Sequence, residues 1–207
     1  MLGGMECTQV GGTNESLAPS RRMGSPGSPQ WSRMLDAAET ILCEEGYAAL
    51  TSRRVAEHVG AKQRLVYYYF RTMDELAVET FRRSTSREME RLNQAAVAPQ
   101  PVRAFWTIAT QTSDPRLISE FMALANRNAA LKVEVIAFVE VSRKMQVAAL
   151  SRAIAAHPQS GNLSAEAVAI IATSLALALG REAALGVDAG HAQIIRLISD
   201  FLDRIAP

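Results

Sequence analysis

A chain of 207 residues, 48% of them hydrophobic, has enough apolar material for a folded core, which excludes a chain that is disordered throughout. A formal net charge of +1 excludes a strongly basic or acidic protein, so any contact with a polyanion must be local. Two cysteines and three histidines without ligand spacing exclude a disulfide framework, and we expect no metal, no cofactor and a reducing, cytoplasmic setting.

The start of the chain predicts no regular structure. Residues 1–29 are rich in Gly, Pro and Ser, so we expect a flexible tail over this range. The tail has no basic segment followed by an apolar one, which argues against a secretory signal. The longest uncharged run, AVAIIATSLALAL at residues 167–179, is too short to cross a membrane and predicts a buried helix, so no membrane partner is expected.

Three short helices follow the tail and predict a first domain at residues 30–75. Their approximate ranges are 30–45, 51–60 and 62–69. Gly46 and Gly60 suit the left-handed caps that end the first two helices. Thr51 or Ser52 can cap the start of the second.

Six further helices are predicted in a second domain at residues 76–207, so the fold class is all-α. Their approximate ranges are 72–95, 102–112, 115–127, 129–156, 164–186 and 188–205. Thr72 and Glu75 form a capping box for the first of these helices, and Asp114 with Pro115 starts the third. The helix at 129–156 carries apolar residues on two sides, which predicts passage through the interior.

The stretch LTSRRVAEHVGAKQRLVYYYFR at residues 50–71 has the pattern of a helix-turn-helix. Two closely crossing helices need a small residue at the contact, a glycine at the turn and an apolar residue that reaches back to the core. Ala56, Gly60 and Val66 supply these in order. The same stretch is basic, with Arg53, Arg54, Lys62, Arg64 and Arg71 against Glu57. The combination predicts binding to double-stranded DNA.

Candidate DNA contacts follow from what each part of the duplex offers. Phosphates favour cations, hydroxyls and helix N-termini, and base edges are read near the start of the second helix of the motif. Gln63 is the expected reader of adenine, and Lys62 or Arg64 of guanine. Tyr67 and Tyr68 offer hydroxyls to phosphate. The predicted DNA-binding residues are Thr51, Ser52, Arg53, Lys62, Gln63, Arg64, Tyr67, Tyr68 and Arg71.

The sequence LTSRRVAEHVGAKQRLVYYYFRTMDEL resembles the signature of the tetracycline-repressor (TetR) family of bacterial transcription regulators over about residues 30–80. The resemblance implies a homodimeric regulator, expected to be a repressor, that leaves a palindromic operator when a small molecule binds its helical body. Lys62, Arg64 and Met73 depart from the family's usual residues, so the bases that are read stay open. Repression and activation also remain alternatives.

Two other functions are alternatives to this one. A helical small-molecule-binding protein without specific DNA binding would keep the body and lose the operator. An enzyme is disfavoured, and no catalytic residue is predicted, because no Ser/His/Asp, Cys/His or paired-carboxylate constellation can be assembled.

The last two helices predict the dimer interface. The helix at 164–186 has apolar residues at helical spacing, namely Val168, Ile171, Leu175 and Leu179, and the helix at 188–205 is apolar over nearly half its circumference. One chain cannot easily cover both faces, whereas a four-helix bundle from two chains would bury them.

A ligand pocket is predicted among the helices at 102–112, 115–127 and 129–156, where aromatic and sulfur side chains concentrate. Asn126 and Arg127 would supply polar contacts. The full predicted set is Phe105, Trp106, Phe121, Met122, Asn126, Arg127, Phe138 and Met145. The helix at 72–95 is expected to carry the effect of the ligand to the DNA-binding domain, and the sequence leaves the ligand unidentified.

Overall fold

The computed structural model describes residues 25–111, 114–156 and 164–205, and the expectations for residues 1–24 lie outside the described residues. Within the described ranges every regular element is helical, which confirms the all-α class. The helices are α1 (Pro29–Glu44), α2 (Ser52–Val59), α3 (Gln63–Tyr69), α4 (Met73–Ala96), α5 (Pro101–Gln111), α6 (Pro115–Ala125), α7 (Ala129–Ala156), α8 (Ala165–Ala184) and α9 (His191–Ile205). A short 3₁₀ turn at Tyr47–Ala49 joins α1 to α2.

Local sequence signals set the boundaries of the helices near the DNA-binding motif. Thr51 Oγ1 accepts a hydrogen bond from the backbone N–H of Arg54 at 3.2 Å and so caps α2. Gly60 ends α2 in the left-handed conformation, with φ 64° and ψ 38°. Thr72 Oγ1 accepts from the N–H of Glu75 at 3.0 Å and caps α4. The predicted stops and starts of these helices are therefore confirmed.

The boundary of α9 differs from the expectation. The helix begins at His191 rather than at residue 188. Gly190, directly before it, has φ 88°, which a right-handed helix cannot accommodate. The backbone therefore makes a turn at residues 189–190, where the predicted range already placed the helix.

The buried side chains form two hydrophobic clusters. The first joins α1, α2 and α3 to the start of α4, to α6 and to the start of α7; its most buried members include Met34, Leu35, Ile41, Leu42, Val55, Val66, Phe70, Leu76 and Leu131. The second joins the end of α4 to α5, α7, α8 and α9, through Leu92, Val102, Phe105, Trp106, Leu150 and Leu202 among others. Phe138 packs against both clusters. The DNA-binding helices therefore share their core with two helices of the body.

Helices α4 and α7 run side by side through both clusters. Near the first cluster, Arg82 Nη2 lies 2.6 Å from Glu134 Oε1, and the rings of Phe81 and Phe138 meet edge to face with centroids 6.2 Å apart. Farther along α4, Leu92 shares the second cluster with Leu150 of α7. Both helices therefore lead in the same direction from the DNA-binding end into the body.

The prediction that α7 passes through the interior is wrong. Leu131, Val135 and Leu150 are buried, but Val133 is 66% exposed and Ile136 is 47% exposed. The exposed positions recur every three or four residues, so they form one face of the helix. Its neighbours α4, α5, α6 and α8 cover the other side only.

The expectation of a buried helix at residues 167–179 is also wrong for the single chain. Val168 and Leu179 of α8 pack inward, but Ile170 and Ile171 are more than half exposed. Among the described residues, α8 alone has the length and composition of a membrane span, and only 17% of that window is buried. One such helix is weak evidence for a membrane, and its exposed apolar face needs another explanation.

Phe81 gives a test of how the clusters are joined. Its ring contacts Phe121 at a centroid distance of 5.1 Å as well as Phe138, and the side chain is buried. We expect Phe81→Ala to lower the free energy of unfolding by about 3–5 kcal/mol in urea denaturation at fixed protein concentration, because it leaves a cavity. The exposed-face control Val133→Ala should change it by less than about 0.5 kcal/mol. Similar losses in both variants would contradict this packing.

Candidate nucleic-acid interface and ligand cavity

The helix-turn-helix contacts form as the spacing predicts. Ala56 and Val66 are buried where α2 and α3 cross. The N–H of Ala61 donates to the carbonyl of Ala56 at 2.9 Å, which closes the turn around Gly60. The crossing fixes α3 against α2, as a helix that enters a DNA groove requires.

One side of α3 and of the residue before it is open to solvent. Lys62, Gln63, Arg64, Tyr67 and Tyr68 are all exposed. On the other side, Tyr69 is half-buried and Phe70 is 1% exposed, as expected for packing residues. The predicted contacts on α3 are therefore brought together on one face.

Ser52 lies where the sequence predicts a phosphate contact, but its side chain is buried between α2 and α3. The Gln63 amide donates to Ser52 Oγ at 2.7 Å, and Ser52 Oγ donates to the Tyr67 hydroxyl at 3.0 Å. These two linked hydrogen bonds leave Gln63 Oε1, one amide hydrogen of Gln63 and the Tyr67 hydroxyl hydrogen for other partners. Ser52 therefore orients two residues of the exposed face, a role that sequence spacing alone does not reveal.

The exposed residues of α2 carry paired charges. Arg53, whose side chain is 82% exposed, lies 2.9 Å from Glu57, and Arg54 makes hydrogen bonds of 2.8–3.0 Å to both carboxylate oxygens of Glu45. The bond from Arg54 holds the pKa of Glu45 below its usual value, and the bond from Arg53 does the same for Glu57. Both carboxylates therefore stay charged and offset part of the basic stretch.

The remaining predicted contacts lie at the ends of helices. Thr51 is exposed, and its hydroxyl oxygen is the cap of α2. Arg71 is exposed just before α4, and its backbone N–H donates to the Glu75 carboxylate at 2.8 Å. That bond reaches one residue earlier than the usual capping box. Both residues border the exposed face of α3 and remain candidates for phosphate contact.

A second candidate site is a cavity of about 340 Å³ enclosed by α4, α5, α6, α7 and α8. Its wall includes Phe81 and Phe121 from the first cluster and Leu92 and Phe105 from the second. The cavity therefore lies where the two clusters meet, and its volume is within the range of small-molecule sites.

Half of the predicted ligand-binding residues line this cavity. Phe105, Phe121, Met122 and Phe138 do so. Trp106, Asn126, Arg127 and Met145 do not. Trp106 follows Phe105 by about 100° around α5 and borders a separate void of about 30 Å³. Asn126 and Arg127 are exposed after the end of α6, and Met145 packs into the second cluster.

The sequence reasoning missed the polar residues of the cavity, in part because it did not count α4 and α8 among the walls. They are Ser84, Thr85, Arg87, Glu88, Arg91, Asp114, Ser142, Arg143, Gln146 and Thr173. Thr173 Oγ1 donates to Gln146 Oε1 at 3.1 Å. The periodicity of α7 places Ser142 one turn and Gln146 two turns beyond Phe138, which is the signal that could have found them.

Polar contacts also link α6 to the DNA-binding helices. Glu120 Oε2 accepts a hydrogen bond from the backbone N–H of Tyr47 at 2.9 Å. The Tyr47 hydroxyl donates to Asp74 Oδ1 on α4 at 3.1 Å. Burial and the Asp74 carboxylate raise the pKa of Tyr47, so its hydroxyl stays protonated as the donor. The segment before α2 is thus held from both α6 and α4.

No group of His, Cys, Asp and Glu in the described part of the chain could hold a metal ion. A search among curated proteins finds no significant match. Residues 34–80, from within α1 to the first part of α4, match the family model described as bacterial regulatory proteins, tetR family.

Solved structures share the fold over most of the chain. A TetR transcription regulator from Haloarcula marismortui ATCC 43049 is 18% identical, covers 86% of this chain and 98% of its own, and has a TM-score of 0.72. A transcriptional regulator from Rhodococcus sp. Rha1 is 20% identical, and the match covers 85% of this chain and 97% of the regulator, with a TM-score of 0.68. AibR, solved with isovaleryl coenzyme A and operator DNA, is 14% identical, with 73% and 86% covered and a TM-score of 0.60. Residues 34–80 are therefore similar to the tetR family of bacterial regulatory proteins, and the chain as a whole shares the fold of these solved regulators.

Proposed function

We propose that this chain is a homodimeric repressor that binds a palindromic operator and leaves it when a small molecule occupies the cavity. The observation that carries the proposal is the position of the cavity between the two hydrophobic clusters, since α4 and α6 form part of its wall and also pack into the core of the DNA-binding helices. A regulator with this arrangement acts on DNA in the cytoplasm.

In this proposal α3 lies in the major groove and Gln63 reads an adenine. Bidentate pairing with adenine needs one amide hydrogen and the amide oxygen. The bond to Ser52 uses only one of the two amide hydrogens, so Gln63 is held in place and still carries the groups that the pairing needs. The Tyr67 hydroxyl, which accepts from Ser52, keeps its own hydrogen for a phosphate oxygen.

The hydrogen bonds of Ser52 to Gln63 and Tyr67 give a prediction about sequence specificity. Gln63→Ala should relax the preference at one base pair by about 1–3 kcal/mol. Ser52→Ala should lose part of the same preference, because Gln63 would no longer be oriented. As a control, Arg53→Ala should lower the affinity for all DNA sequences alike. It should also lower the slope of log affinity against log salt concentration by about 1. Binding-site selection with each variant measures this, and full preference in Ser52→Ala would contradict the positioning role.

The dimer is proposed to form through the outer faces of α8 and α9. On α8 the exposed apolar residues are Ile170, Ile171 and Leu177. Of the set expected from the sequence only Ile171 is among them, because Val168 and Leu179 are buried and Leu175 packs against the second cluster. On α9, Leu197 is 58% exposed, and this helix packs mainly against α5 in its own chain. A second copy would cover both faces and bring two α3 helices to half-sites about 34–36 Å apart or more.

A charge on the outer face of α8 tests the interface. Ile171 is 60% exposed, so Ile171→Glu should leave the single chain folded and give monomers in light scattering, because a dimer would bury the unpaired carboxylate. Operator affinity should fall roughly 10²- to 10⁴-fold as the second half-site is lost. Val133→Glu on the exposed face of α7 is the control and should remain dimeric. Monomers only in that control would move the interface to α7.

Two routes are proposed to connect the cavity to α3. The sequence suggests α4, which begins directly after the DNA-binding helices and lines the cavity with Phe81. Helix α6 provides a second route, because Phe121 lines the cavity while Glu120, the adjacent residue, holds the N–H of Tyr47. A ligand that shifts either helix would change the separation of the two α3 helices in the dimer. By linkage, DNA must weaken ligand binding by the same factor.

Filling the cavity should block release. Val139 lines it, whereas Val133 lies on the exposed face of the same helix. We expect Val139→Phe to bind the operator normally but to need roughly tenfold more of a releasing compound, a cost of about 1.4 kcal/mol. Val133→Phe should respond like the unaltered chain. Fluorescence anisotropy of labelled operator, titrated with compounds found by screening, measures both. An equal response in the two variants would place the ligand elsewhere.

Selection of genomic DNA fragments bound by the purified protein tests the proposal as a whole. Enrichment of a palindromic sequence supports an operator-binding regulator. If no sequence is enriched while small molecules still bind, the alternative of a helical binding protein without specific DNA binding is correct. A compound screen on the enriched fragment then distinguishes release from activation.

A further inference from the structure

Arg143 on α7 presents an unsatisfied charge at the wall of the cavity. Its Nη1 atom is buried, and no acceptor for it exists among the described residues. Buried guanidinium N–H groups are rarely left without a partner, because they lose their hydration on burial. The other unsatisfied guanidinium in the described ranges, that of Arg83, differs because it lies 2.8 Å from Asp36 in an ion pair.

The other charged side chains of the cavity wall have partners of their own. Arg87 pairs with Glu39, and Arg91 lies 3.2 Å from Glu88. Asp114 lies 3.2 Å from Arg116; burial works against its charged form, but hydrogen bonds from Arg116 hold its pKa below the usual value. The two carboxylates of the wall are therefore engaged elsewhere, and neither is the acceptor that Arg143 lacks.

A second donor lies beside Arg143. Gln146, one turn farther along α7, also lines the cavity. Its Oε1 lies 3.1 Å from Thr173 Oγ1, whose single hydrogen is shared with the Ala169 carbonyl at 2.8 Å, and its NH₂ group is directed to neither of these atoms and can donate to another partner. A guanidinium and an amide NH₂ on one helical face suit the two oxygens of a carboxylate, and charge-assisted bonds of this kind are the strong ones.

The larger part of the remaining wall is apolar. Phe81, Phe121 and Phe138 form edge-to-face contacts along it, and they precede the polar turn of α7 that carries Arg143. An occupant that satisfies the whole wall therefore has an anionic head at one end and an apolar body at the other. A volume of about 340 Å³ suits a small acid.

We propose that the cavity binds monocarboxylates with an apolar body, with the carboxylate held by Arg143 and Gln146 and the body among the three phenylalanines. This assignment rests on the proposed function in taking the cavity as the ligand site, and it adds the chemical class of the ligand. It gives α7 the role of recognising the head group, while α4 and α6 contact the body.

The test compares octanoate with 1-octanol by isothermal titration calorimetry on the full chain, without DNA and at low chloride. Octanoate should bind more tightly. Arg143→Met should lower the affinity for octanoate by about 10- to 100-fold, because a hydrogen-bonded charge is lost. The affinity for 1-octanol should stay within about twofold. Arg87→Met is the matched control, because Arg87 lines the same cavity but already pairs with Glu39, and it should change octanoate binding little. The melting temperature of ligand-free Arg143→Met should not fall, since the buried nitrogen loses no partner.

Each other result overturns the inference. Equal binding of octanoate and 1-octanol, an unchanged octanoate affinity in Arg143→Met, or no binding of octanoate at all would each show that Arg143 does not recognise a carboxylate. Binding is measured without DNA, so this failure is distinct from that of the proposed function. If octanoate binds through Arg143 but leaves operator affinity unchanged, the carboxylate site stands and the release mechanism fails.

Discussion

The contact of Phe81 with Phe121 and Phe138 joins α4, α6 and α7 at the level where the two hydrophobic clusters meet. Three rings in edge-to-face contact fill this level only in part, and the remaining space is the cavity. The molecule therefore has a closed core on either side of a layer that is not filled by its own side chains. Stability is supplied by the two clusters, and the layer between them can change its packing at lower cost.

Helix α6 shows why such a change need not stay local. Its first residue, Pro115, contacts α8 so closely that a Cβ on Gly180 would lie 2.9 Å from Pro115 Cγ. Its middle lines the cavity with Phe121, and Glu120 bonds to the segment before α2. A short helix with these three contacts joins the cavity wall, α8 and the segment before α2, so a shift of α6 at one contact would strain the other two.

The sequence predicted what depends on local chemistry and periodicity. Thr51, Gly60, Thr72 and Asp114 set helix ends where their backbone preferences require. The exposed face of α3 was predictable because Val66 must point to the core and its neighbours must then point away. These features need no knowledge of which helices become neighbours.

What the sequence could not give depends on which helices meet. The aromatic residues of α5 to α7 looked equivalent, yet Phe105 faces the cavity and Trp106 does not, since that choice follows from the packing of α5 against α8. Arg143 carried no signal because an arginine on a long helix is ordinarily solvated, and the burial of its Nη1 depends on the helices packed against α7. The apolar run of α8 was assigned to the interior because hydropathy does not distinguish burial within one chain from burial between two.

The charges around α3 suggest how affinity and specificity are balanced. Glu45, from the end of α1, was not counted with the basic stretch, yet it holds Arg54 by both carboxylate oxygens and lies 3.5 Å from His58. Phosphate contacts strengthen binding to every sequence alike, so carboxylates that engage the cations of α2 lower non-specific affinity. The exposed side chains of Lys62, Gln63 and Arg64 at the start of α3 have no such carboxylate bonded to them within the described residues. In the proposed complex, discrimination between sequences would therefore depend on α3, while the paired cations of α2 would add less to affinity than their number suggests.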